Sequence, residues 1–128
     1  ARLGRWLPQL NGPSWTASKP LPGGDFPVSD TAVVGDALRS GYPFLDAHVA
    51  ARLARTYGTR ADDWLGSAKS IADLGADFGH GLTATEVNYL VAQEWARTAD
   101  DILWRRTKLG LRFNAAQTET LVQYLSQK

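Results

Sequence analysis

Between Leu82 and Leu111 the chain starts a helix twice and stops it twice. Thr83 and Glu86 have the spacing of a capping box, and Leu82 with Val87 that of a hydrophobic staple across it. Leu90, Val91 and Trp95 continue the buried face of that helix. Thr98 and Asp101 repeat the Thr-x-x-acid spacing at once, so a second helix starts near Thr98 at an abrupt angle and ends at Gly110. A chain that punctuates helices this closely has to fold by packing short amphipathic helices on one another, because such helices are not stable alone.

The same signals recur elsewhere. Ser29 or Asp30 caps a helix with Val33, Val34, Ala37 and Leu38 on one face and Gly41 at its end. Pro43 suits the first turn of the next helix, where Leu45, Val49 and Leu53 form the stripe and Gly58 the stop. Thr59 with Asp62 reads as a capping pair for a short helix holding Trp64 and Leu65. Ser70 with Asp73 starts a further turn, and Gly75, Gly79 and Gly81 make a loop. Asn114 with Gln117 caps the last helix, where Leu121, Val122 and Leu125 recur at helical spacing. No run alternates apolar and polar residues. The fold class predicted is all-α: a compact bundle of about five to seven helices over residues 28–128. Residues 1–27 form a helix end and an irregular arm. Pro8, Asn11-Gly12-Pro13 and Pro20-Leu-Pro-Gly-Gly24 break helices there, and Trp15 and Leu21 are expected to pin the arm to the bundle.

At 128 residues the chain can bury a core of its own, and 44% hydrophobic with 21% charged residues is a globular balance. A net charge of +1 argues against general polyanion binding. The absence of cysteine excludes disulfides and thiol chemistry. No apolar run approaches the roughly 20 residues that span a bilayer, and no secretory signal is visible. Ala1 at the start, with no methionine anywhere, leads us to expect a piece of a longer protein.

Candidate chemistry is sparse. Gly79-His-Gly81-Leu-Thr-Ala84 fits the loose dinucleotide fingerprint, but Ile71–Phe78 is a poor strand, so a glycine loop entering a helix is the better reading. His48 and His80 lack metal-ligand spacing; His48 reads as a partly buried packing residue and His80 as a loop residue. Asp62-Asp63 and Asp100-Asp101 sit in first helical turns, where the helix dipole favours acids. No catalytic, cofactor or metal residue is therefore assigned. The candidate interaction surface is the basic cluster Arg97, Arg105, Arg106, Lys108 and Arg112, five bases against the three acids Glu94, Asp100 and Asp101. Adjacent arginines diverge by about 100° on a helix, so one of Arg105 and Arg106 is expected to be buried and structural. The five tryptophans, Trp6, Trp15, Trp64, Trp95 and Trp104, are expected to anchor core and arm.

Several segments, in order, resemble the C-terminal helical domain of the FAD-dependent, aerobic glycerol-3-phosphate dehydrogenases. They are Trp15-Thr16, Pro20-Leu-Pro-Gly-Gly24, Leu53-Ala-Arg-Thr-Tyr-Gly58, Glu86-Val-Asn-Tyr-Leu90, Glu94-Trp-Ala-Arg-Thr98, Asp101, and Leu103-Trp-Arg-Arg-Thr-Lys-Leu-Gly-Leu111. The last is the specific one. The resemblance implies a parent enzyme that oxidises sn-glycerol 3-phosphate to dihydroxyacetone phosphate, passing hydride to FAD and electrons to quinone. It implies a peripheral protein on the cytoplasmic face of the inner membrane, with the FAD and substrate domains preceding this one. The nucleotide-binding unit of that parent is absent here, so the chain itself is expected to hold no FAD, to be inactive alone, and to brace the catalytic body or help it dock. The alternatives are a helix-turn-helix nucleic-acid binder, disfavoured by the low charge, and a lipid-surface module; no nucleic acid is expected as partner.

Overall fold

The computed structural model describes residues 6–7, 12 and 16–128 of the chain. Among the described residues five α-helices carry the fold: α1 (Thr31–Gly41), α2 (Ala47–Tyr57), α3 (Ala61–Leu65), α4 (Ala84–Gln93) and α5 (Ala115–Ser126). A π-helical turn, Asp101–Arg106, lies between α4 and α5, and five 3-10 turns punctuate the rest of the described residues. The only strand-like feature among the described residues is a single bridge between Asp77 and Thr83. The all-α expectation therefore holds.

The core forms where α2 meets the helices around it. Leu38 of α1, Leu53 and Ala54 of α2, Trp64 and Leu65 of α3, Val87 and Leu90 of α4, Ile102 and Leu103 of the π turn and Leu121 of α5 are all buried in one cluster. Gly35 faces α2, where an added Cβ would meet Ala51, Ala54 and Ala50 at ordinary contact distances of 3.7–4.0 Å. Leu82 and Val87 are both fully buried, consistent with the staple. In α5, Leu121 is buried, Leu125 packs against the core and Val122 is 44% exposed.

Helix ends follow local hydrogen bonding more closely than the sequence signals suggest. Two capping boxes form as expected, Ser70 with Asp73 and Asn114 with Gln117. Thr98 and Asp101 also exchange their bonds: Asp101 Oδ2 accepts from the Arg97 and Thr98 amides at 3.0 Å, and Thr98 Oγ1 accepts from the Asp101 amide at 3.2 Å. The other starts differ. Asp30 is the N-cap of α1 but makes no side-chain cap bond, because its carboxylate accepts from Ser29. Pro43 lies in the turn before α2, which starts at Ala47 under Asp46, whose Oδ1 accepts from the His48 amide at 2.7 Å. Thr59 does not cap α3; its hydroxyl donates to Asp25, and a 3-10 turn Gly58–Arg60 leads into the helix.

The end near Gly110 is also different. The helix stops at Arg106, where the Thr107 amide and hydroxyl both bond the Ile102 carbonyl, five residues back. Lys108 then turns left-handed, with φ 59°, into a 3-10 turn Leu109–Leu111. Gly110 has another task. A Cβ there would lie 2.5 Å from the Trp104 ring, so only glycine lets the indole rest on that turn.

In the arm, Leu21 is 81% exposed and pins nothing, and Trp15 lies outside the described residues. The arm is held by its glycines instead. The Gly23 carbonyl accepts from the Thr59 amide at 3.3 Å. A Cβ on Gly23 would come within 2.3 Å of the Tyr57 carbonyl, and one on Gly58 within 1.8 Å of the Gly23 carbonyl.

Candidate functional site

The strongest polar constellation is internal. Glu86 is fully buried, although it reads from sequence as the partner of Thr83 in a capping box. Its carboxylate turns away from the helix start. Oε1 accepts from Arg52 Nη1 at 2.6 Å and from the Tyr57 hydroxyl at 2.7 Å, and Oε2 accepts from Arg52 Nη2 at 2.8 Å. Arg52 Nη2 also donates to the Gly81 carbonyl at 2.9 Å, which ties α2 to the loop before α4. Thr83 is the N-cap by backbone only, and its buried hydroxyl has no partner among the described residues.

Burial disfavours the charged form of Arg52, but the Glu86 carboxylate more than offsets this and holds the guanidinium above its usual range. Burial first, and then the Glu86 charge, push the Tyr57 phenol far up, so it stays a donor. Tyr57 meets Trp64 and Tyr89 edge-on, with ring centroids 5.6 and 5.7 Å apart. The Glu86 carboxylate itself has no access to solvent, so this is a structural knot, with Arg52 alone reaching the surface. It also supplies the structural arginine: that residue is Arg52, with a side chain 12% exposed, whereas Arg105 and Arg106 keep side chains 76% and 38% exposed.

The basic cluster is split by the fold. Arg105 Nη1 pairs with Asp101 at 2.8 Å and Arg106 Nη1 lies 3.9 Å from Glu94. Arg97 is exposed on the connection after α4. Lys108 and Arg112, by contrast, come together on one cleft with four residues the sequence did not group with them, His48, Arg52, Arg55 and His80. Positions 48, 52 and 55 fall at i, i+4 and i+7 on α2, one face of a helix, and that spacing was the available signal. His48 is exposed and touches Arg112, Nε2 to Nη1 2.9 Å, so it is not the packing residue expected.

Of the four described tryptophans only Trp64 is buried; Trp6, Trp95 and Trp104 are 80%, 84% and 46% exposed. Anchoring of the core thus falls to one of them. Trp95 also has φ 57°, a left-handed conformation rare for a bulky residue. The turn brings the Ala96 amide to the Leu90 carbonyl at 3.1 Å and closes α4.

The glycine segment before α4 is a loop, as read. Gly79 and Gly81 are needed for packing: a Cβ would meet Gln117 Nε2 at 2.2 Å and Val49 Cγ2 at 2.5 Å. The space a pyrophosphate would need is filled by side chains, and no strand precedes it, so these residues do not fit a dinucleotide. No three His, Asp or Glu side chains gather in metal-holding distance among the described residues. A concavity of about 680 Å³ lies between α1 and the Gly66–Lys69 turn and is mostly apolar, with Val33, Val34, Ala37 and Leu38 in its wall.

Comparison with known proteins places this helical unit in a family. The family described as the C-terminal domain of alpha-glycerophosphate oxidase matches residues 14–126. Glycerol-3-phosphate dehydrogenase of Pseudomonas aeruginosa is 49% identical over 117 residues, 91% of this chain and 23% of that protein. Aerobic glycerol-3-phosphate dehydrogenase of Escherichia coli is 45% identical over 127 residues, 91% of this chain and 24% of that protein. D-erythritol 1-phosphate dehydrogenase of Brucella abortus is 39% identical over 123 residues, 96% of this chain and 24% of that protein. The chain spans about a quarter of the length of the curated relatives it matches. By the match over nearly its whole length, the chain belongs to the family of the C-terminal domain of alpha-glycerophosphate oxidase.

Proposed function

We propose that this chain serves as the non-catalytic C-terminal domain of a glycerol-3-phosphate dehydrogenase, with residues 28–128 as the helical unit and residues 1–27 as the arm before it. The whole enzyme would oxidise sn-glycerol 3-phosphate to dihydroxyacetone phosphate, using FAD held by the preceding domains and passing electrons to quinone. On this reading it is a peripheral protein of the cytoplasmic face of the inner membrane; no described helix is long and apolar enough to cross a membrane. The same domain type occurs in relatives named for two different polyol phosphates. That supports a role outside substrate choice.

The observation that carries the reading is Trp95. An indole 84% exposed, at φ 57°, on a turn that glycine or asparagine would make at lower cost, suits a contact with another surface. Two residues on, Arg97 is also exposed. This face would dock on the preceding part of the same polypeptide, with the indole as anchor and Arg97 at its edge. A groove-reading helix is less well supported, because Arg105 and Arg106 already face Asp101 and Glu94.

The test is the purified 128-residue chain. It should carry no flavin and reduce no artificial acceptor dye with sn-glycerol 3-phosphate, while the full-length enzyme does both. Stoichiometric flavin on the short chain, or turnover by it, would overturn the reading.

A further inference from the structure

Three described residues other than glycine take a left-handed backbone: His80, Trp95 and Lys108, at φ 54°, 57° and 59°. Two of them, His80 and Lys108, line the same cleft. Strain of this kind persists only where the surroundings impose it, and it gathers at ligand sites. The cleft lies between α2 and the Thr107–Arg112 turn and measures about 220 Å³. It is smaller than the roughly 300–1,000 Å³ that hold a drug-sized ligand, and suits a small head group.

Its charge is one-sided. Arg52 is neutralised from behind by Glu86. Arg55, Lys108 and Arg112 have no carboxylate partner among the described residues, whereas Arg39, Arg60, Arg105 and Arg106 each find an acid. No acid lines the cleft. Like charges brought together in this way repel, and an anion between them removes the penalty. Arg112 is held by His48 Nε2, which must accept because arginine only donates. Lys108 is held by the Trp104 carbonyl. His80 is steadied against Phe113, ring centroids 5.7 Å apart. Arg112, Lys108 and His80 are thus held before any ligand arrives.

We propose that this cleft binds a phosphate group, with Arg55, Lys108 and Arg112 as its ligands, His80 as a further donor and His48 as the residue that positions Arg112. Two guanidinium groups and an ammonium lining one cleft from two segments can serve the several oxygens of a tetrahedral anion. The phosphate can belong to a soluble monoester or to an anionic lipid headgroup. The site is independent of the docking face at Trp95.

The experiment titrates the 128-residue chain with potassium phosphate against potassium chloride at constant ionic strength, following the imidazole resonances of His48 and His80. In parallel, the chain is sedimented with phosphatidylcholine vesicles with and without phosphatidic acid. Arg55→Gln/Arg112→Gln is the variant, both side chains being exposed, and its thermal unfolding is compared with wild type to show that it folds. Saturable shifts at both histidines, with affinity about tenfold or more weaker in the variant, establish a soluble-phosphate site. Sedimentation that needs phosphatidic acid and is lost in the variant establishes the headgroup form. Absence of both, or equal responses in a folded variant, overturns the proposal.

Discussion

Arg52, Glu86 and Tyr57 show how much one residue's setting decides. A carboxylate with no access to water needs its charge matched and its lone pairs filled, and the three bonds of 2.6–2.8 Å do both. Arg52→Met leaves that carboxylate buried alone and should cost about 3–5 kcal/mol in chemical denaturation. Tyr57→Phe removes one charged hydrogen bond and should cost about 1.5–3 kcal/mol. Arg52→Met/Glu86→Leu should recover part of the loss of Arg52→Met alone, because no charge is then stranded. If the three variants instead lose stability additively, the knot is not a unit. In the sequence Glu86 has the same offset from Thr83 as a capping partner, and only burial separates the two uses. The clue was there: Leu82, Glu86 and Leu90 share one helical stripe, with an acid between two leucines.

Among the elements, glycines fall into two physical classes with opposite predicted signs. Gly35 lies inside α1 with nothing nearer than 3.7 Å to an added Cβ. Gly35→Ala should therefore stabilise the chain, by up to about 1 kcal/mol from helix propensity. Gly58 has φ 57° and a carbonyl 1.8 Å from the added atom. Gly58→Ala should destabilise it by more than about 1 kcal/mol and detach the Gly23 turn. Thermal unfolding of the two variants checks both, and a shared sign would refute the packing argument.

Acid sensitivity belongs to the same scale. Asp101 is held below its ordinary range chiefly by the Arg97 and Thr98 amides, and Asp73 by the Lys69 amide with Ser70. A depressed carboxyl contributes stability above its unfolded pKa, about 3.9, and loses it as pH falls through the lower folded value. Asp101→Asn should therefore flatten the loss of stability below about pH 4 and differ most from wild type near neutrality. An unchanged acid limb in urea titrations would contradict it. Capping spacings were legible wherever the side chains were free to use them, at Ser70, Thr98 and Asn114. They misled where a longer-range partner took the side chain, as Asp25 takes Thr59. The stop at Arg106 was not legible, because nothing local to Thr107 announces a bond to the carbonyl five residues back.

For the whole molecule, the bundle class followed from helix punctuation alone, and the family from Glu94–Leu111. Part of that motif now has a physical basis: Gly110 exists for Trp104, Asp101 caps the turn, and Lys108 reverses the chain. Division of the basic cluster could not be read from the sequence, because it depends on where α2 lies relative to the Lys108 turn. Trp95 remains the residue whose exposure makes least sense for the chain by itself. The closure of α4 accounts for its backbone, and its exposed ring is explained if a preceding domain covers it.

The decisive measurement is Trp95→Gly made in both contexts. In the 128-residue chain, glycine at φ 57° should relieve backbone strain and raise unfolding free energy by up to about 1 kcal/mol. In the full-length dehydrogenase the same change should speed proteolytic release of this domain, because the anchor is lost. A short chain destabilised by the substitution, or a full-length enzyme whose release rate does not change, would contradict the account of a non-catalytic domain docked through that turn.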